Sequence, residues 1–232
     1  MKTLANLPRL IIMMVLLVAL VLSGCKKESL TAEEILAQSR DKMEDVKSMR
    51  MEMNIVIQAG GTNLTITADA VTEQPDRAYI EMSVMGQKVE VLTMSKTEIY
   101  LKQPGSAAWE PVPADQIAEM GLNMDIYSQL NVNDIASNIK KAGDEEIDGT
   151  DCYHITFDVD AEKYLQGSGQ MAGVTIDPAS TTATGEIWIG KSDLLNRQLD
   201  IQLTTTIQGM STKMGTTITM SGFNEPVDIP TP

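Results

Sequence analysis

"MRMEMNIVI", residues 49–57, alternates Met49, Met51, Met53, Ile55 and Ile57 with Arg50, Glu52 and Asn54. A period of two sends the first set to one face of an extended chain and the second to the other, so the stretch reads as a half-buried β-strand. The segment just before it has another period. In "TAEEILAQSRDKMEDVKS", Thr31 and Glu34 have capping-box spacing, and Ile35, Leu36, Ser39, Met43 and Val46 line one side of a helix. The change of period predicts one leading helix followed by sheet.

Working outward, "AGGTN" is a turn, and the next strand puts Leu64, Ile66, Ala68 and Ala70 on one face with Thr65, Thr67 and Asp69 on the other. Strands are predicted at 78–85, 88–94 and 98–102, the first two joined at Gly86-Gln87. Such short connections make neighbouring strands antiparallel. The middle turns helical: Ile117, Met120, Met124 and Tyr127 recur at helical spacing, and Val132, Ile135 and Ile139 predict a second short helix. Strand signals return at 145–147 and 152–159 across Asp148-Gly149, then "GQMAGVTIDPASTTATG" reads as a loop. Strands at 185–190, 195–207 and 213–223 complete the series, and the prolines of "NEPVDIPTP" keep the tail extended. Nine or ten strands cannot lie flat. The predicted fold class is α+β: one strongly curved antiparallel sheet, a half-barrel, with helices packed on its apolar concave face.

The start of the chain reads differently. Lys2 and Arg9 precede an unbroken apolar run, Leu10–Leu22. As a helix it spans about 20 Å, short of the roughly 30 Å hydrocarbon core, which suits a signal peptide better than a permanent span. Ser23 and Gly24 then lead into Cys25, and "LSGC" resembles the lipobox of bacterial lipoproteins. That resemblance implies cleavage before Cys25 and acylation of it. An ordinary secretory signal and an uncleaved anchor helix are the alternatives. The expected organisation is a signal peptide at 1–24, a lipidated tether at 25–30 and one domain at 31–232. The tether reaches at most about 20 Å from Cys25 to Thr31, so the domain is expected on the extracytoplasmic face of the cell membrane, held by its lipid anchor.

Charge narrows the partners. The chain carries 18 Lys and Arg against 32 Asp and Glu, and residues 1–24 hold two of the basic residues and no acidic one. A surface this acidic repels phosphate backbones, which argues against nucleic acid. Cys152 would be the one thiol left after lipidation, so neither a disulfide scaffold nor a cysteine zinc site fits.

With these elements in order, the mature chain resembles the LolA/LppX-like lipoprotein superfamily. The resemblance runs through the leading helix into "SMRMEMNI", then "PDRAYIEMSVMGQKVEVLTMSKTEIYLKQPGSAAWEPV" with Tyr100 and Trp109 at the usual aromatic places. It continues through "DEEIDGTDCYHITFDVD" and "GEIWIGKSDLLNRQLDIQL". It implies a half-open β-barrel that binds a lipid or acyl chain in an apolar cavity, for carriage or handover at a membrane.

The composition bears on that cavity. Thirteen of the 16 methionines follow residue 24, beside only two phenylalanines. Methionine adapts to ligands of variable shape, and equally fills irregular cores. From composition alone core filling is the better reading; the resemblance shifts it to a cavity lined by Met51, Met53, Ile55, Ile66, Ile80, Met82, Met120, Met124, Ile201, Leu203, Ile218 and Met220. An acyl chain of roughly 16 carbons, at about 0.8 kcal/mol per methylene, offers about 13 kcal/mol gross before ordering costs. Residues 114–139 would be the gate. The alternative is a non-carrier interaction or sensor domain of the same fold with a filled core, and the residues name no partner protein.

Catalytic chemistry finds little footing. His154 is the one histidine and Cys152 lies two residues away on the same strand face, but no oxyanion motif accompanies them. No GxSxG, HExxH or phosphate-binding glycine loop occurs. Asp144, Glu146, Asp148 and Gly149 fit the start of a calcium loop, but Ile155 occupies the place of its bidentate glutamate, so the stretch reads as an acidic turn. The chain is expected to be a binding protein with neither catalytic activity nor cofactor.

Overall fold

The computed structural model describes residues 30–113, 116, 130–167, 176–207 and 209–232. Residues Ala32–Pro232 form a compact unit. Its frame is an eleven-stranded antiparallel sheet in the order β6-β5-β4-β3-β2-β1-β11-β10-β9-β8-β7. The strands are β1 (Ser48–Ala59), β2 (Thr62–Glu73), β3 (Arg77–Val84), β4 (Gln87–Ser95), β5 (Glu98–Lys102), β6 (Glu110–Pro111), β7 (Ala136–Ile147), β8 (Thr150–Val159), β9 (Thr182–Gly190), β10 (Asn196–Ile207) and β11 (Met210–Ser221). β1 and β11 pair at the centre, joining the two ends of the chain into one sheet. β6 and β7 are its edges, so the sheet is open.

Helix α1 (Ala32–Glu44) buries Ala32, Ile35, Leu36, Ser39 and Met43. Thr31 stands directly before it, in the N-cap position. At its other end the Gln74 side-chain amide donates to the Glu44 carbonyl at 3.0 Å, satisfying one of the carbonyls a helix end leaves open. The tail after β11 is tied to the start of β1: the Asn224 side chain accepts from Lys47 N–H at 2.7 Å and the Ser48 hydroxyl donates to the Glu225 carbonyl at 2.6 Å.

The sequence reading needs two corrections and one addition. The second short helix, expected at Val132–Ile139, does not form: Ile135 ends a turn and Ile139 lies within β7, a twelve-residue strand where three were expected. Its alternation is hidden by the positive φ at Asn138 and by two register shifts against β8. The β3–β4 turn falls at Met85-Gly86, one residue earlier than expected, with φ of 52° and 80°. A short helix α2 (Ala161–Gly167) follows β8, capped by Asp160, whose carboxylate accepts from Lys163 N–H at 3.1 Å. Within the predicted gate, residues 114–115 and 117–129 lie outside the described residues. No helix among the described residues is long and apolar enough to cross a membrane.

Candidate functional site

Cross-strand partners share a face of an antiparallel sheet. The register therefore defines one apolar face as a set of rows. One row crosses eight strands as Val89–Met82–Ala68–Met53–Ile218–Leu199–Ile187–Ile155 without a polar residue. Parallel to it on one side run Val91–Ile80–Ala70–Met51–Met220, and on the other Val84–Ile66–Ile55–Thr216–Ile201. Leu203 belongs to a further row, opposite Met214. All ten described residues of the expected cavity lining thus share one face. Met120 and Met124 lie outside the described residues, as does Cys25.

Burial on that face is uneven. Leu199, Ile187 and Ile155 are at most 1% exposed, and Met51, Ile201, Leu203 and Met220 are also buried. Met53, Ile55, Ile66, Ile80, Met82 and Ile218 are only half-buried. The dry part covers β8–β10 and reaches Met51 and Met220 on β1 and β11, and the half-open part is the rest of that face on β1–β3 and β11.

Helix α1 accounts for part of the dry region. The Ser39 hydroxyl donates to Asn196 Oδ1 at 2.7 Å, fastening the helix to the start of β10, and both residues are buried. From the other side Asn133 donates its amide to the Leu36 carbonyl at 3.5 Å and to Asn131 Oδ1 at 2.8 Å. Between these contacts lies a cavity of about 260 Å³. Leu36, Met43, Leu130, Val132 and Ile187 make its apolar wall; Arg40, Glu44, Asn131 and Asn133 supply its polar groups. None of the expected lining residues touches it. The sequence reading missed its loop side because Leu130–Asn133 was assigned to the helical middle, although Asn131 and Asn133 two residues apart are a turn signal.

The opposite face carries the titratable groups considered for catalysis. His154 pairs with Trp188 across β8 and β9, and their rings stack at 4.5 Å and 9°. The two imidazole nitrogens lie 3.0 Å from Glu145 and 2.7 Å from Glu186. The Trp188 N–H donates to Glu145 at 2.9 Å and holds that carboxyl below the ordinary carboxylate range, with His154 adding to the effect. Cys152 is buried, its thiol donates to the Thr150 carbonyl at 3.3 Å, and burial pushes its pKa up. A buried thiol with a raised pKa is a poor nucleophile, and both nitrogens of His154 are already engaged, so the geometry does not make a Cys–His couple. Tyr100 and Trp109 also lie away from the apolar rows: Tyr100 donates to Glu98 at 2.7 Å, and Trp109 meets Tyr79 edge-on at 6.3 Å. Among the described residues no three His, Cys, Asp or Glu side chains converge to hold a metal.

An open antiparallel sheet with one continuous apolar face is consistent with the half-open barrel the resemblance implies. The match to the LppX_LprAFG lipoprotein family model spans residues 31–229, nearly all of that unit. The chain belongs to the LppX_LprAFG lipoprotein family. Among solved structures it is similar to lipoprotein LppX of Mycobacterium tuberculosis, at 16% identity and a TM-score of 0.58, covering 86% of this chain and 98% of that one. It is also similar to LprF from Mycobacterium bovis, at 19% identity and a TM-score of 0.54, covering 87% and 96%. At these identities the likeness establishes the LppX_LprAFG fold and leaves the ligand to be argued from the site. Comparison with curated proteins finds no match.

Proposed function

We propose that this protein is an extracytoplasmic lipoprotein, anchored through acylated Cys25, that holds a lipid or acyl chain against the half-buried apolar face of its sheet. The single observation that carries the reading is the contrast along one row: Met53, Met82 and Ile218 are half-buried, whereas Leu199, Ile187 and Ile155 are dry. Half-exposed methionine and isoleucine on an inward face have unmet burial to offer, and an acyl chain supplies it. Met51, Met53, Ile55, Ile66, Ile80, Met82, Ile201, Leu203, Ile218 and Met220, with Met120 and Met124, form the lining. Capture is non-covalent and calls for no catalytic group. Family membership supports a lipid-carrier role.

The cavity under α1 favours a second reading. At about 260 Å³ it falls below the roughly 300–1,000 Å³ usual for ligand pockets. A non-carrier domain that fills its core with side chains would look like this beneath the helix. Mass spectrometry of the purified protein under native conditions separates the two: a carrier travels with a non-covalent, acyl-bearing ligand, and a filled core travels alone.

A further inference from the structure

Three neighbouring hairpins end on one edge of the sheet. β1–β2 turns at Gly60-Gly61, β3–β4 at Met85-Gly86, and β10–β11 between Ile207 and Met210. Their strands are contiguous, in the order β4-β3-β2-β1-β11-β10. The tips are staggered: Thr212 pairs with Ala59, so Met210 lies beyond the β1–β2 turn, and Val84 pairs with Ile66, short of it. That stepping is expected of strands tilted to their rim.

The composition of this edge departs from the rest of the chain. Residues 53–68, 82–87 and 201–212 contain no charged side chain, in a protein that is 22% charged with a net charge of −14. The charges nearest the second and third tips are Lys88 and Lys213, while Glu81 and Asp200 close the other ends of those stretches. Lys88 bridges to Glu81 at 2.5 Å. Among the described residues, the large apolar side chains left exposed are Met85, at 85%, and Met210, at 50%, one on each of two tips. Met85 has φ 52°, a conformation that favours Gly, Asn or Asp, so turn chemistry does not explain an apolar residue there. The edge turns acidic again at Asp158, Asp160 and Glu162, beyond β10.

We infer that this uncharged rim is a docking edge for the surface of a lipid bilayer, with Met85 and Met210 entering the boundary between headgroups and acyl chains. A body this acidic is repelled by an anionic membrane, and the rim is where the sheet can approach without bringing a carboxylate to the lipid. Met85 and Met210 stand on separate tips of one uncharged rim, and a bilayer matches both the missing charge and the apolar tips. The inference goes beyond the cargo reading and does not depend on it: membrane contact is read directly, whether or not a ligand is bound.

The test uses the full chain with Met85→Trp, Met210→Trp or, at the opposite end of the sheet, the exposed Ser192→Trp. Each is mixed with phosphatidylcholine vesicles whose acyl chains carry bromine, and the signal of Trp109 and Trp188 is subtracted with the unsubstituted protein. Docking predicts at least twofold stronger quenching at 85 and 210 than at 192, lost when the remaining tip methionine is changed to Glu. Equal quenching at all three positions, or none at 85 and 210, overturns it. So does a self-associated species that dissociates when Met85 and Met210 are both changed to Glu, which would give the edge to a second copy of the chain.

Discussion

Ser39 and Asn196, far apart in sequence, meet in a 2.7 Å hydrogen bond between buried side chains. It joins helix α1 to a strand near the end of the chain. Removing the Ser39 hydroxyl leaves Asn196 Oδ1 buried without that donor, which costs about 1–3 kcal/mol. Ser39→Ala is therefore expected to lower the melting temperature, and a Ser39→Ala/Asn196→Leu double variant to recover part of the loss. Thermal denaturation followed by circular dichroism checks both.

Gly185 and Phe157 form a second pair that tolerates little change. They are cross-strand partners, and a Cβ on Gly185 would fall 2.3 Å from the Phe157 ring. Phe157 is buried, so the ring has nowhere easy to go. Gly185→Ala is expected to destabilise by about 1–3 kcal/mol through overpacking. In the background of Phe157→Leu the same substitution should cost less, and a denaturant double-mutant cycle measures the difference.

Acid stability should depend on Glu145. Its carboxyl is held below the ordinary value of 4.5, chiefly by the Trp188 N–H and further by His154. A carboxyl with a lower pKa folded than unfolded contributes stability above the unfolded value, and that contribution is lost as pH falls through the folded one. Glu145→Gln should thus lower the melting temperature at neutral pH and flatten its decline in acid below about pH 4.5. An unchanged acid profile would count against this account of the Trp188–Glu145 contact.

Membrane attachment should rest on Cys25. Two acyl chains anchor stably where one is marginal. Cys25→Ser is expected to shift the protein from the membrane to the soluble fraction of a cell lysate, with the domain still folded.

Much of the sheet was legible because its period is two. Met49–Ile57 and Leu64–Ala70 alternate cleanly, and the ten described residues of the expected lining, from five strands, fall on one face since antiparallel pairing preserves alternation from strand to strand. β7 was not legible: it is exposed over much of its length, carries Lys140, Lys141, Asp144, Glu145 and Glu146, and breaks its own alternation at irregular register. The His154–Trp188 stack was hidden too, because it depends on which strands are neighbours, and sequence periodicity carries no long-range pairing. The cavity under α1 needed the same information, since Leu36, Val132 and Ile187 come from three separated segments.

The central claim is that the half-buried face holds a non-covalent acyl chain, and organic extraction of the purified full-length protein followed by mass spectrometry tests it most directly. Extraction releases bound lipid and leaves any covalent anchor in place. The account predicts about one acyl-bearing molecule per chain, and at least a tenfold loss in Met53→Arg or Ile66→Arg, since a charge on that face costs the ligand at least about 1.4 kcal/mol. Extracts without lipid from folded Cys25→Ser protein, purified from the soluble fraction without detergent, would contradict it.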